Sequence, residues 1–182
     1  KMSKLKPNTE YIAYAFGSRG GKPTTKSIFT QTFTTKSGED GAVNISFKDL
    51  GYYDCAAVAQ YPGLEFFGGE KYAGCVVFPY DVEFSSDEHG DFWYDIYNWT
   101  GRHESEYYTE EQYMDGLIWS MDKYGGSSAE QSYVTLEIGG VYELVGIVLD
   151  TEGNYSSMYR WWVRPTYDGC RNPEDFVEWY TL

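Results

Sequence analysis

Histidine side chains beside carboxylates are the groups in this sequence best suited to chemistry, because they can bind a metal ion or exchange protons with a substrate. They occur in segment 87–91 around His89 and in segment 103–106, which begins at His103. Both segments flank a strand-like run at 92–99 and are rich in turn-forming residues. These surroundings favour solvated loops over a metal site or an acid–base pair, so we assign no metal ligand and no cofactor.

Other catalytic patterns are weak or missing. Segment 150–154 has the acidic residues of a calcium loop but not the run of oxygen ligands or the terminal Glu, so a hairpin turn is the better interpretation. The sequence has no Gly-x-Ser-x-Gly elbow to present a nucleophilic serine. With 28 acidic residues a carboxylate pair is available, but a compact domain of this length rarely has the deep cleft of a glycosidase. We expect no catalytic residue, and a carboxylate-based hydrolase is the less favoured alternative.

The composition is strongly acidic and strongly aromatic. A net charge of −14 cannot neutralise a row of phosphates, which argues against nucleic acid and against an anionic membrane surface. Aromatic residues make up 19% of the chain, and they favour strands first and binding surfaces second. No apolar run reaches the length of about 18 residues that a membrane-spanning helix needs, so we expect no membrane insertion by this segment.

Alternation along two strand-like segments places aromatic side chains on one outward face. In segment 158–164, an inward Trp161 leaves Trp162 outside, between Arg160 and Arg164. The same alternation applies to the run at 92–99. The outward set predicted on the two strands is Trp93, Tyr97, Trp99 and Trp162.

These outward rings have two interpretations. Exposed Trp and Tyr side chains suit stacking on the apolar side of a pyranose ring, which makes the set a candidate ligand-binding face. The alternative is that the rings pack beneath a helix predicted at 109–124, or against a neighbouring domain. The first interpretation predicts a non-catalytic adhesion or glycan-binding module with a glycan or surface-protein partner. The second predicts a structural spacer domain with no ligand.

The elements that must position these rings follow from the spacing of strand-forming residues. Short runs separated by Gly, Asp and Ser predict an antiparallel sandwich. The runs lie at 43–50, 55–60, 75–84, 92–99, 133–138, 141–149 and 158–163. In one segment Thr109 and Gln112 have capping-box spacing, apolar residues follow at helical spacing, and Gly125 ends the pattern. These signals predict an inserted helix at about 109–124, and Pro173 begins a second, shorter helical pattern.

The three cysteines, Cys55, Cys75 and Cys170, do not have the spacing of metal ligands. We interpret them as small buried residues. A Cys55–Cys75 bridge is the second interpretation, and both stay open at this stage.

The sequence contains an internal repeat, in which residues 5–33 align with residues 136–163. The alignment pairs Leu5 with Leu136, Tyr11 with Tyr142, and Phe33 with Val163. The Leu-x-Pro-x-Thr-x-Tyr signature between Leu5 and Tyr11 resembles the entry to the sixth strand of fibronectin type III domains, where the Tyr forms a corner that ties the loop to the sheet. The resemblance implies an all-β fold, a fibronectin-III/Ig-like antiparallel β-sandwich with the one inserted helix.

A longer stretch, residues 5–165, resembles the paired-domain lipoproteins exported by gut Bacteroidetes. The motifs that carry this resemblance are LKPNTEYIAYAFG from residue 5, YYDCAAVAQYPG from residue 52 and YAGCVVFPYDV from residue 72. It implies export to the outer surface or periplasm, with a lipid anchor on an N-terminus that precedes this sequence. Proteins of this kind are mostly of unknown function, so the resemblance implies location and fold more than activity.

The repeat and the resemblance together imply four parts. Residues 1–36 are the C-terminal hairpin of a preceding, incomplete fibronectin-III-like domain, and residues 37–42 are a linker. Residues 43–165 form the sandwich with its helical insertion, and residues 166–182 are a C-terminal extension with a short helix. We expect the rest of the first domain to lie upstream in the same polypeptide, and docking of the hairpin on the second domain is the secondary interpretation.

Overall fold

An N-terminal hairpin begins the part of the chain that the computed structural model describes, namely residues 5–6, 9–25, 28–35 and 43–181. Strands β1 (Glu10–Ala15) and β4 (Phe29–Thr34) pair antiparallel, and the short strands β2 (Ser18–Arg19) and β3 (Lys22–Pro23) extend the connection between them. Within the described residues this hairpin forms no ladder with other strands. The predicted linker at 37–42 lies outside the described residues.

The first sheet is built around the long strand β7 (Cys75–Phe84). Strand β9 (Gln131–Glu137) pairs with one edge of β7 over most of its length. The other edge is shared by two shorter strands, β5 (Ile45–Asp49) and β6 (Tyr53–Asp54), with Gly51 in the break between them. The edge strand is therefore interrupted once, and the interruption lines a cleft.

The second sheet has strand β10 (Tyr142–Val148) at its centre, with β8 (Phe92–Asn98) and β11 (Tyr159–Val163) on either side, all antiparallel. The strands are thus divided between two antiparallel sheets whose inner faces share one apolar core, as in a β-sandwich. The prediction of an all-β antiparallel sandwich with one inserted helix is therefore confirmed.

The core between the sheets is aromatic as well as aliphatic. Phe47 of β5 meets Tyr80 and Tyr94 edge-on, with ring centroids 6.1 Å and 5.5 Å away. Gly146 of β10 makes room for it, because a Cβ at that position would lie 3.1 Å from the Phe47 ring. The fully buried Leu144 and Val76 fill the same layer.

Both copies of the internal repeat contain the same tyrosine contact near their beginning. The Tyr142 hydroxyl accepts a hydrogen bond from the backbone N–H of Glu137 at 2.9 Å, and the Tyr11 hydroxyl accepts one from Lys6 at 2.9 Å. Each donor lies five residues before its tyrosine. Tyr142 also pairs across the ladder with Val163, just as Tyr11 pairs with Phe33. The two copies thus agree at the tyrosine, at its hydrogen-bond donor and at its partner on the neighbouring strand.

Three α-helices complete the fold in the part of the chain that the structure describes. Helix α1 (Cys55–Val58) occupies the position of a predicted strand, and that prediction is wrong because Asp54 caps the turn by accepting from the Ala56 N–H at 3.0 Å. Helix α2 (Glu110–Tyr124) begins at the predicted capping box and ends at Gly125, which has a φ of 71°. Helix α3 (Pro173–Thr181) buries Phe176. The predicted bounds of helix α2 are therefore correct to within a residue, and helix α3 begins at the predicted Pro173.

Helix α2 also contacts the entry to the N-terminal hairpin. Asp115 on its exposed side forms an ion pair with Lys6, at the entry to the N-terminal hairpin. Both side chains are partly solvated, so the pair contributes little free energy. It nevertheless marks where the hairpin approaches the sandwich. The division of the chain into a preceding domain and a complete one stays a prediction.

We predict that Tyr142→Phe lowers the free energy of unfolding by about 1–2 kcal/mol, because the Glu137 N–H loses its acceptor in a buried corner. Urea denaturation gives this difference directly. Tyr11→Phe removes the same bond from the half-buried corner of the hairpin and should have a smaller effect. An unchanged unfolding midpoint for Tyr142→Phe would show that the corner does not stabilise the sandwich.

Candidate functional site

Helix α2 covers the outward face of the second sheet. Its buried residues Met114, Leu117 and Met121 pack against Val145 and Ile147 of β10, which are completely buried. The helix therefore forms a second apolar layer outside the sandwich core. This is the sheet face on which the sequence predicts the outward aromatic residues, and the helix covers part of it.

Three of the four predicted aromatic residues come together on this face. Tyr97 stacks on Trp99 with ring centroids 6.1 Å apart and planes 14° apart. Trp99 lies 4.8 Å from Tyr107 at 32°, and Tyr107 lies 5.4 Å from Trp162 at 34°. These four rings, Tyr97, Trp99, Tyr107 and Trp162, form one run of rings in successive contact that we call the aromatic row.

The aromatic row is closed at its centre and open at one end. Trp99 is only 7% exposed, whereas Trp162 is 37% exposed. Tyr108, which is 44% exposed, stands edge-on to Trp99 at 5.1 Å and to Tyr97 at 5.5 Å. Solvent therefore reaches the row at Trp162 and Tyr108, next to the beginning of helix α2.

Trp93, the fourth predicted residue, belongs to a different cluster. Its ring stacks on Tyr124 at 5.6 Å and 14°, at the C-terminal end of helix α2. Trp119 lies beside Tyr124, and the ammonium group of Lys123 lies over both of these rings at 4.2 Å and 4.9 Å. The structure thus separates Trp93 from the aromatic row.

Glu143 lies at the centre of the covered face and is completely buried. One carboxylate oxygen, Oε2, accepts from the Tyr113 hydroxyl and from Trp99 Nε1 at 3.3 Å. The other, Oε1, accepts from Arg160 Nε at 2.6 Å, and Arg160 Nη2 lies 2.5 Å away as the ion-pair partner. Each of the two carboxylate oxygens is therefore occupied by protein donors. Glu143 is therefore a structural anion whose oxygens are not free for a substrate.

The register of the second sheet explains why these groups meet. Glu143 pairs with Tyr97 on one side and with Trp162 on the other, so all three side chains stand in one line on the outward face. The next residue pair on the same face of the sheet is Val145 with Arg160. The guanidinium group of Arg160 also lies over the Tyr113 ring, 5.2 Å from its centroid.

Burial and this network shift the titration of the surrounding groups. Burial raises the pKa of Tyr97 to about 12, with smaller contributions from Asp95, Tyr108 and Glu143. Burial, and then the hydrogen bond to Glu143, raise the pKa of Tyr113 well above that of a free phenol. For Arg160, burial alone lowers the pKa, but the hydrogen bond and charge of Glu143 outweigh it and the pKa is raised.

Sequence reasoning missed Glu143, Tyr107, Tyr108 and Tyr113. The signal for Glu143 was present, since it is the one acidic residue inside the apolar run at 141–149. Tyr107 and Tyr108 had no comparable signal, because they precede the helix cap and the direction of their side chains depends on how the helix docks. Alternation along strands finds side chains of one sheet face, but it does not find what a helix places over that face.

The two histidine segments have structural roles. His89 donates from Nδ1 to the Gly90 carbonyl at 2.8 Å and stacks on Phe84 at 3.8 Å. His103 caps a short 3₁₀ helix (Glu104–Glu106) by accepting from the Ser105 N–H at 3.2 Å. Among the residues that the structure describes, no three His, Cys, Asp or Glu side chains lie close enough to hold a metal ion.

The acidic turn that follows β10 is organised by one aspartate. Asp150 Oδ1 accepts from the backbone N–H groups of Glu152 and Asn154, both at 2.8 Å. Burial alone would raise the pKa of Asp150, but the hydrogen bonds from Asn154 and its neighbours outweigh it, and the pKa is lowered. The turn interpretation of segment 150–154 agrees with this geometry.

The three cysteines are free thiols. Cys55 and Cys75 are buried in a third apolar cluster with Phe67 and Phe176, on the side of the first sheet that faces helix α3. Burial, and then the proximity of Cys75, raise the pKa of Cys55 to about 12. A thiol that stays protonated is a poor nucleophile, so this pair acts as packing.

No protein-family model, no curated protein and no solved structure matches this chain. None of the helices in the described residues is long and apolar enough to cross a membrane. The expectations that depend on the resemblance, namely export, anchoring and adhesion, remain predictions.

We predict that Arg160→Met destabilises the protein by about 3 kcal/mol, because it leaves Glu143 buried without its cation. The value lies at the low end for buried pairs, since the Arg160 side chain is 38% exposed and water can compensate in part. The double variant Arg160→Met with Glu143→Gln should recover part of the loss in urea denaturation, because the neutral amide oxygen can still accept from Tyr113 and Trp99. The exposed pair Arg102–Glu106, at 3.8 Å, provides a control, and Arg102→Met should change stability by less than about 0.5 kcal/mol. If the double variant were as unstable as the single one, the unpaired charge would not be the cause.

We also predict a loss of stability at alkaline pH. A phenol whose pKa is raised in the folded state keeps its proton longer there than in the unfolded chain. The contribution of such a phenol to the free energy of unfolding is therefore complete below about pH 10. It declines as pH rises toward about 12, the pKa of Tyr97. Tyr97→Phe should show a smaller decline over this interval in denaturation experiments, and phenolate absorbance should lose one late-titrating group. Equal declines in both proteins would exclude Tyr97 as a source.

Proposed function

We propose that this protein is a non-catalytic interaction module that binds a glycan, or a glycan-bearing surface protein, through the open end of the aromatic row. The observation that carries the proposal is Trp162, whose ring is 37% exposed while its neighbours in the row are supported from beneath. A pyranose ring has an apolar face of C–H bonds that suits a flat, electron-rich indole. Location at the cell surface or in the periplasm is part of the proposal, as the resemblance to exported lipoproteins implies.

The support beneath Trp162 makes the surface suited to binding. Tyr107 lies against Trp162 and Trp99 lies against Tyr107, while Glu143 fixes Trp99 by accepting its indole N–H. Rings that are already fixed lose little conformational freedom when a ligand arrives. Tyr108, half exposed beside them, adds a hydroxyl that can bond to a sugar.

The second candidate is a structural spacer domain with no ligand. The burial of Trp99 and the packing of Tyr97 beneath helix α2 favour it, because these rings act as core residues there. On this view the open end at Trp162 is the margin of a core and not a binding surface.

A carboxylate-based hydrolase remains the least favoured candidate. Glu143 is the buried carboxylate nearest to the open rings, and its two oxygens are occupied by Arg160, Tyr113 and Trp99. A catalytic carboxylate has to reach a substrate atom or its water. This one is enclosed by protein donors.

A glycan-array screen on the intact chain, followed by calorimetry with the best ligand, tests the proposal. We expect Trp162→Ala to weaken binding by about tenfold or more, because stacking on a central aromatic residue typically contributes over 1 kcal/mol. Trp119→Ala is the matched control, since Trp119 is 57% exposed but belongs to the cluster at the other end of helix α2. Binding that is lost equally in both variants would mean that the glycan does not depend specifically on Trp162, which contradicts the proposed site, and no bound glycan at all would favour the spacer.

A further inference from the structure

A cleft of about 210 Å³ opens beside the aromatic row, at the edge where the two sheets of the sandwich meet. One wall is the end of β11, and the opposite wall is the break between β5 and β6 together with the turn that follows Tyr167. Trp162 belongs both to this lining and to the aromatic row. The side chains that carry the argument are Tyr52, Trp161, Trp162, Arg164 and Arg171.

Gly51 and Arg171 form one side of the cleft. Gly51 has a φ of 77°, and a Cβ there would lie 2.2 Å from Arg171 Nε, so only glycine leaves space for this arginine. Arg171 donates from Nη2 to Asp49 at 3.0 Å, and its backbone N–H donates to the Tyr52 carbonyl at 2.9 Å. The interruption of the edge strand thus holds a guanidinium group in place.

Tyr52 forms the adjoining part of the wall. Its hydroxyl accepts from the Thr166 N–H at 3.2 Å. Gly169 lies against it so closely that a Cβ on Gly169 would be 1.9 Å from the hydroxyl oxygen. The turn after β11 is therefore fixed to the first sheet, and the cleft has a built wall on the side opposite Trp161.

The charge of this cleft differs from that of the protein. Arg171 shares its charge with Asp49, whereas Arg164 forms no ion pair within the part of the chain that the structure describes. The lining therefore has a net charge of about +1 in a protein whose net charge is −14. A guanidinium group presents a planar fork of donors that matches a carboxylate.

We infer that this cleft binds the carboxylate-bearing ring of an acidic glycan, a hexuronate residue. The inference rests on the proposed function, because the rest of the glycan would lie along the aromatic row. The volume equals that of about seven water molecules, which suits one sugar ring. Arg164 pairs with the carboxylate, while Trp162 supplies the shared aromatic contact between cleft and row.

Calorimetry with two matched ligands tests the inference on the full chain. A β-1,4-linked diglucuronate and cellobiose differ only in the oxidation of the C6 carbons. We expect the diglucuronate to bind about tenfold more tightly at low salt, and added salt to reduce the difference. Arg164→Gln should remove this preference while leaving the unfolding midpoint unchanged. Arg102→Gln, a change of the same kind at a distant exposed arginine, should keep it.

The outcomes separate this inference from the proposed function. If neutral glycans bind in a Trp162-dependent way but wild type shows no preference for diglucuronate, the acidic-sugar site is wrong and the proposed function stands. Persistence of the preference in Arg164→Gln would also overturn it. Acetate or inorganic phosphate that competes as strongly as diglucuronate would show a simple anion site and not a sugar site. If neither disaccharide binds and the array shows no glycan, both proposals fail.

Discussion

A single buried carboxylate, that of Glu143, fixes the relation between the helix and the sheet on which the candidate site depends. Removing an ion from water is costly unless donors replace the water, and here they come from three different elements. Arg160 belongs to β11, Tyr113 to helix α2 and Trp99 follows β8 directly. Because the carboxylate needs all of these donors, the helix has one favourable position over the sheet. Apolar contacts alone, such as those of Leu117, would allow more than one.

That position decides which aromatic rings meet solvent. In the observed position the helix packs with Trp99, which is 7% exposed, and leaves Trp162 37% exposed. The rings beneath the helix are a second core, and the ring at its margin is the candidate contact surface. One network therefore serves two purposes: it stabilises the insertion and it holds the support of Trp162 in a fixed orientation.

The repeated tyrosine corner shows a constraint of a different kind. The same hydroxyl-to-backbone bond recurs at Tyr11 and Tyr142, with the same separation in sequence, although one copy lies in the sandwich and the other in the N-terminal hairpin. The bond spans only five residues, so it depends on the local path of the chain more than on distant packing. This is why a motif of a few residues was enough to locate it.

The features that depend on contacts between residues close in sequence can be predicted from the sequence alone. Strand alternation, the capping box at Thr109 and the corner at Tyr142 involve neighbours within a few residues, so their positions were predicted nearly to the residue. Even there, one cap at Asp54 overrode strand propensity and formed helix α1. Alternation also placed Trp162 on the outward face. Which rings stay open and how Glu143 is neutralised depend on tertiary structure, because Glu143 and its donors Trp99 and Tyr113 are far apart in sequence and meet only when the helix docks. The cleft likewise depends on tertiary structure, because Gly51 and Tyr52 at the break in the edge strand are far in sequence from Arg164 and Arg171.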